Sequence, residues 1–259
     1  MLHKPGLRRL TTVSFLALVC IWCVLTYGGF VEPLFLPAPG KVLEAAHLLF
    51  AEEGFAYDVM ISTWRVLLGF GLSCALAIPL GVWIGTSRKA EAICIPMVNF
   101  IRYMPAPAFI PLLILWLGIG LGAKVALIFI SIFFYLVPLV VENVRNVDEN
   151  CIQTALTLGA TRFQVLYRVV LRAAYPGIWQ SMRIMMGVAW TSIIIVELVA
   201  AQRGIGAMII RAQRFLQTPK IVAGIFVIGL LGIIFDGLFR LGNKLMFPWT
   251  QQEEIADGN

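Results

Sequence analysis

The chain has 259 residues, of which 60% are hydrophobic and only 13% charged, and its mean hydropathy is +0.89. Soluble domains are about one-quarter charged, so composition excludes an ordinary soluble enzyme and points to a polytopic membrane protein. The formal net charge of +6 matches the Lys and Arg excess of loops on one side of a membrane better than a nucleic-acid surface.

A spanning helix needs roughly 20 mostly apolar residues. The first such stretch lies at about 10–29, behind His3, Lys4, Arg8 and Arg9. It is long for a cleaved leader and no small-x-small site follows it, so it reads as a retained span. Cys20 and Cys23 have redox-motif spacing, but in the middle of an apolar helix they are packing residues. With Cys74, Cys94 and Cys151 the cysteine count is odd, and no disulfide framework is implied. The two histidines, His3 and His47, have no partners at metal-ligand spacing.

Residues 30–58 form an external segment. Pro33, Pro37 and Pro39 favour extended chain, after which Val42, Leu43, Ala46, Leu49 and Phe50 recur at helical spacing. This predicts an amphipathic helix, either lying on the outer membrane face or packed as a lid on the bundle.

Further spans are predicted at about 59–86, 92–117, 124–143, 177–200 and 219–241. The second of these is interrupted by Pro96, Pro105, Pro107 and Pro111. Such prolines break a helix, which a membrane tolerates only inside a bundle or beside a wet cavity. Six spans put both termini on one side. That side holds twelve of the twenty basic residues: Lys4, Arg8, Arg9, Arg88, Lys89, Arg145, Arg162, Arg168, Arg172, Arg183, Arg240 and Lys244. The other holds six (Lys41, Lys124, Arg203, Arg211, Arg214 and Lys220), while Arg65 and Arg102 fall within spans. The bias predicts cytoplasmic termini.

Between the fourth and fifth spans, residues 144–176 form a cytoplasmic loop. Asp148 or Asn146 can cap a short helix running to about Leu158, and Gly159 supplies a left-handed end. Thr161-Arg-Phe-Gln164 is a capping box that starts a second helix, predicted to end near Tyr175 before Pro176. Phe163, Leu166 and Val170 would form its apolar stripe. The loop thus reads as two short helices joined by a slim elbow, suited either to a groove on another protein or to an ordinary interfacial loop.

The run from Gln153 to Ile178 resembles the signature loop of bacterial binding-protein-dependent ABC importer permeases. Their pattern is Glu-Ala-Ala, three residues, Gly, then nine residues and Ile-x-Leu-Pro. Gly159, Val169 and Leu171 fall on its Gly, Ile and Leu; Gln153 and Thr154 replace Glu and Ala, and Arg172 stands where Pro is usual. LFLPAPGKVL at 34–43, IRYMPAPAFIPLLILWLGIG at 101–120 and VELVAAQRGIGAMI at 196–209 resemble the branch that imports nitrate, bicarbonate, taurine and alkanesulfonates. The resemblance implies an all-α membrane protein with the type I importer permease fold and one permease domain over 1–259. It also implies that Gln153, Thr154, Ala155, Leu158, Gly159, Ala160 and Thr161 form a coupling helix docked to an ATPase. The implied partners are two ATPase subunits, which bind ATP and Mg, a second permease copy forming a homodimer, and an external substrate-binding protein.

No Gly-x-x-x-x-Gly-Lys-Ser/Thr occurs, so the chain itself has no P-loop. Gly118-x-Gly120-x-x-Ala123 fits a dinucleotide fingerprint only superficially, because no strand precedes it. No catalytic constellation is present, and a non-catalytic permease is expected; a channel or scaffold working without ATPases is the alternative. Arg102, beside Pro105 and Pro107, is the candidate anion attractor of the pathway. Glu197, an acid within a span, reads as a structural partner of Arg203 or Arg102, or as a gate element. Arg203, Arg211, Arg214 and Lys220 form an outer basic cluster with no acid between them, placed to draw anions or to dock a binding protein.

Overall fold

Long helices rich in apolar residues bury faces against one another, and three of them organise the molecule. The computed structural model describes residues 5–200 and 202–249, and every regular element among them is helical. The chain opens with α1 (Pro5–Tyr27), α2 (Pro39–Ala51), α3 (Phe55–Thr86) and α4 (Arg88–Arg102). A 3₁₀ turn (Ala106–Phe109) then leads into α5 (Ile110–Leu117) and α6 (Leu121–Arg145). Next come α7 (Glu149–Thr157) and α8 (Arg162–Val165), a π-helical turn (Leu166–Val170), α9 (Leu171–Ala200), α10 (Ile205–Arg214) and α11 (Thr218–Met246).

Helices α3, α6 and α9 make the core, with Val66, Ala77, Ile128, Ile132, Leu136, Val140 and Ala189 fully shielded. Close approach between α3 and α6 depends on small residues: a Cβ on Gly81 would stand 2.7 Å from the Val140 side chain. Lipid supplies no hydrophobic drive between helices, so intimate packing of this kind holds a membrane bundle together.

Four helical segments are long and apolar enough to cross a membrane: Phe55–Thr86, Leu121–Arg145, Arg162–Glu197 and Thr218–Met246. A fifth crossing is the pair Arg88–Arg102 and Ala106–Leu117, bent by 85°. The prolines of the expected 92–117 span cause that break, while Pro96 sits inside α4. The expected first span is α1, a helix of 23 residues. His3 and Lys4, in its expected basic flank, lie outside the described residues. Trp22 ties α1 to the rest, donating to the Pro37 carbonyl at 3.1 Å and meeting the Phe226 ring at 5.7 Å.

The external segment is a lid. Val42 and Leu49 of α2 are buried with Phe55, Ile205, Met208, Ala212 and Ala223, whereas Leu43 is exposed. The helix therefore packs onto α10 and α11 instead of lying free.

Two expectations for the second half of the loop are corrected. The chain does not break before Pro176; α9 passes through it. Pro176 removes one backbone donor, but at that level α9 is locked onto α6. Asn143 donates to Ser181 Oγ at 2.9 Å, and Asn143 fills the space a side chain on Gly177 would need. The apolar stripe also differs. Phe163 is exposed, whereas Val170 is buried as expected and Leu166 half-buried, with Val165 and Ala174 buried beside them. The π turn puts residues five apart on one face, so Val165 and Val170 align where α periodicity would have aligned Phe163 and Leu166.

Candidate functional site

Asp148 caps α7 by accepting from the Asn150 N–H at 2.9 Å. Gly159 takes φ +84, the left-handed region that Gly enters without Cβ strain. Beyond it, Thr161 N–H donates to Gln164 Oε1 at 2.8 Å and Gln164 N–H donates to Thr161 Oγ1 at 3.3 Å. This reciprocal box starts α8. Gln153, Thr154, Leu158, Gly159 and Thr161 are exposed, and Ala155 and Ala160 half-buried. Leu158 at the tip is 83% exposed. Phe163 and Tyr167 extend the apolar surface, their rings 4.5 Å apart. Ala155 and Ala160 pack the base of the elbow against the core, and its tip projects outward with Leu158 uncovered by the described residues.

At the break between α4 and α5 lies a cavity of about 470 Å³, reached by Arg102, Pro105, Pro107, Ser131, Tyr135 and Ser192 among others. That is within the usual range for a small-molecule site. Among the described residues, Arg102 is its only charged lining residue. Its guanidinium lies 5.5 Å from the Tyr103 ring and 5.8 Å from the Tyr135 ring, and Tyr135 donates to the Arg102 carbonyl at 3.1 Å. Both serine hydroxyls donate back to their own helices, Ser131 to Leu127 at 2.8 Å and Ser192 to Val188 at 2.9 Å. Arg102 has no ion-pair partner among the described residues, so the cavity presents one positive charge ringed by aromatic faces. Sequence reasoning found Arg102, Pro105 and Pro107 here but missed Tyr135, Ser131 and Ser192, which lie on spans that carry no local signal.

Glu197 is elsewhere. It does not line the cavity, and its partner is neither Arg203 nor Arg102. It is 1% exposed and accepts from Arg65 Nη1 at 2.6 Å, from the Ser62 hydroxyl at 2.8 Å and from the Gly206 N–H at 2.9 Å. Arg65 also donates to the Arg203 carbonyl at 2.8 Å. Asp58 accepts from the Gly204 N–H at 2.9 Å, and Ser62 Oγ from the Ile205 N–H at 2.9 Å. Three side chains thus cap the unsatisfied N–H groups at the start of α10, and Glu197 is one of them. Arg65 was passed over because it lies on α3, 132 positions before Glu197 on α9.

Two of the four cations of the outer basic cluster are compensated by acids from the α2–α3 region. Arg211 pairs with Asp58 at 3.2 Å and Lys220 with Glu53. Arg203 lies 5.9 Å from the Tyr57 ring, while Arg214 is exposed. Lys124, expected as a loop cation, is buried in the first turns of α6 at 7% exposure.

Residues 77–247 match the protein family described as binding-protein-dependent transport system inner membrane component. The taurine transport system permease protein of Escherichia coli (strain K12) is 33% identical over 252 residues, covering 95% of this chain and 92% of the relative. A putative aliphatic sulfonates transport permease protein of Bacillus subtilis (strain 168) is 32% identical, covering 97% of this chain and 92% of the relative. Among solved structures, an inward-facing MetNI methionine ABC transporter superposes with a TM-score of 0.59 at 19% identity, over 73% of this chain and 98% of the matched chain.

Proposed function

Because the chain belongs to the family of binding-protein-dependent transport system inner membrane components, we propose that it lines the path of an ATP-driven importer for a small anion such as taurine or an alkanesulfonate. The relatives named for taurine and aliphatic sulfonates support that substrate class. Within the chain, the observation that carries it is the unpaired Arg102 guanidinium in the cavity at the proline break. A buried or half-buried Arg is retained in a membrane where it meets protein, water or a counter-charge, and a sulfonate supplies the last.

In this reading the elbow end is cytoplasmic, as are both termini. The exposed tip from Gln153 to Thr161 enters a groove on an ATPase subunit. Two such subunits hold ATP and Mg and perform the hydrolysis, while the permease chain is non-catalytic. A second, identical copy covers the open side of the cavity, and an external binding protein delivers the anion at the α2–α10 end. Arg214 and Arg203 remain there as cations without carboxylate partners among the described residues.

The test is taurine uptake by the reconstituted importer with Arg102→Gln and Arg102→Lys at matched expression. Arg102→Gln should raise the half-saturating concentration or abolish flux, and Arg102→Lys should retain part of it. Full activity of Arg102→Gln with unchanged concentration dependence would remove Arg102 from the path.

A further inference from the structure

A second cavity, of about 720 Å³, opens at the elbow end between the tips of α3 and α6 and the elbow helices. Val144 and Val170, both buried, are in its apolar floor. Its rim carries three guanidinium groups, on Arg88, Arg145 and Arg162, and one carboxylate, on Glu149. Glu91 pairs with Arg145. Arg88 and Arg162 have no hydrogen-bond or ion-pair partner among the described residues.

We propose that this cavity is a binding site for the phosphate headgroup of an anionic phospholipid from the leaflet at the elbow end. Three observations favour a lipid over a free anion. The cavity lies where two spans end, at the level of a headgroup layer. Its floor is apolar, which suits glycerol and the first acyl carbons and offers nothing to inorganic phosphate. Its two free cations are arginines, whose planar fork matches a phosphate with two parallel hydrogen bonds. The elbow forms one wall, so an occupied site would brace α7 and α8 against the spans. The inference rests on the elbow end meeting a membrane surface and is independent of which solute is carried.

The full chain in neutral detergent, titrated with phosphatidylglycerol, phosphatidylcholine or inorganic phosphate and read by native mass spectrometry, tests it. One phosphatidylglycerol should be retained per chain, in preference to phosphatidylcholine. Arg88→Gln with Arg162→Gln should weaken it roughly 30-fold, from the usual worth of two arginines at an anionic surface. Arg→Lys at both should keep most of the binding. Glu149→Gln should strengthen it, an effect opposite in sign to any loss of folding. Equal retention of the two lipids, unchanged affinity in the Gln pair, or displacement of phosphatidylglycerol by equimolar phosphate would each overturn the assignment. Because no transport is measured, failure here leaves the Arg102 experiment unaffected.

Discussion

A carboxylate inside a membrane bundle is tolerated when the donors around it replace its water, and Glu197 meets that condition with Ser62, Arg65 and Gly206. Removing one member of a buried pair strands the other. Glu197→Ala should therefore cost about 3–5 kcal/mol of stability, read as loss of thermal stability in detergent. Replacing both members by apolar residues, Arg65→Met with Glu197→Leu, should cost less than the two single changes added together. Strictly additive losses in that double-mutant cycle would show that the contact carries no coupling. Sequence reasoning recognised that Glu197 needs a partner but chose among residues close in the chain or already singled out. Arg65 is separated from it by 132 positions, and nothing local in either helix announces the meeting. Arg102 was legible for the opposite reason: the prolines that open its cavity are its immediate neighbours.

The elbow shows which elements a sequence declares and which it conceals. Its cap, glycine and capping box are local chemistry, and Asp148, Gly159, Thr161 and Gln164 act as their spacing predicts. The π turn that follows has no comparable composition cue, so exposed Phe163 was placed on the buried face and buried Val165 was left off it, while Val170 was placed correctly. Nothing lies within 4 Å of a Cβ built on Gly159, so a side chain there meets no clash and is opposed by backbone strain alone. Gly159→Val should cost about 1–2 kcal/mol for the left-handed conformation and weaken recovery of the ATPase subunits in a pull-down. Gly159→Asn, which enters this region more readily, should retain more of them. Equal recovery with Val and Asn would mean that the elbow's backbone shape is not what the partner reads.

At the scale of the whole molecule, hydropathy located every apolar segment but could not say how each is shaped. One became a pair bent by 85°, and another extended through its proline into the elbow. Large apolar side chains remain exposed at the break and at the far end of the bent pair, including Tyr103, Leu115 and Trp116. Exposed apolar faces of this kind suit lipid or a partner chain. An importer driven by partner ATPases and a free-standing channel make different demands on this assembly. In proteoliposomes, taurine uptake should require the ATPase subunits and ATP inside and should stop when either is omitted. Uptake by the permease chain alone at an equal rate would favour the channel.

The π turn at Leu166–Val170 also fixes an angle. Each residue of an α-helix advances the chain by about 100° of rotation, and a single widened turn accommodates one residue beyond the regular repeat. The elbow and α9 are thereby indexed against each other like two gears offset by a tooth. The azimuth at which Leu158 faces a docking partner is then written in the number of residues between Gly159 and Pro176, not in their identities. Substitutions throughout this stretch can leave that bearing intact, whereas a one-residue insertion or deletion would swing the tip away from any groove it had been aimed at.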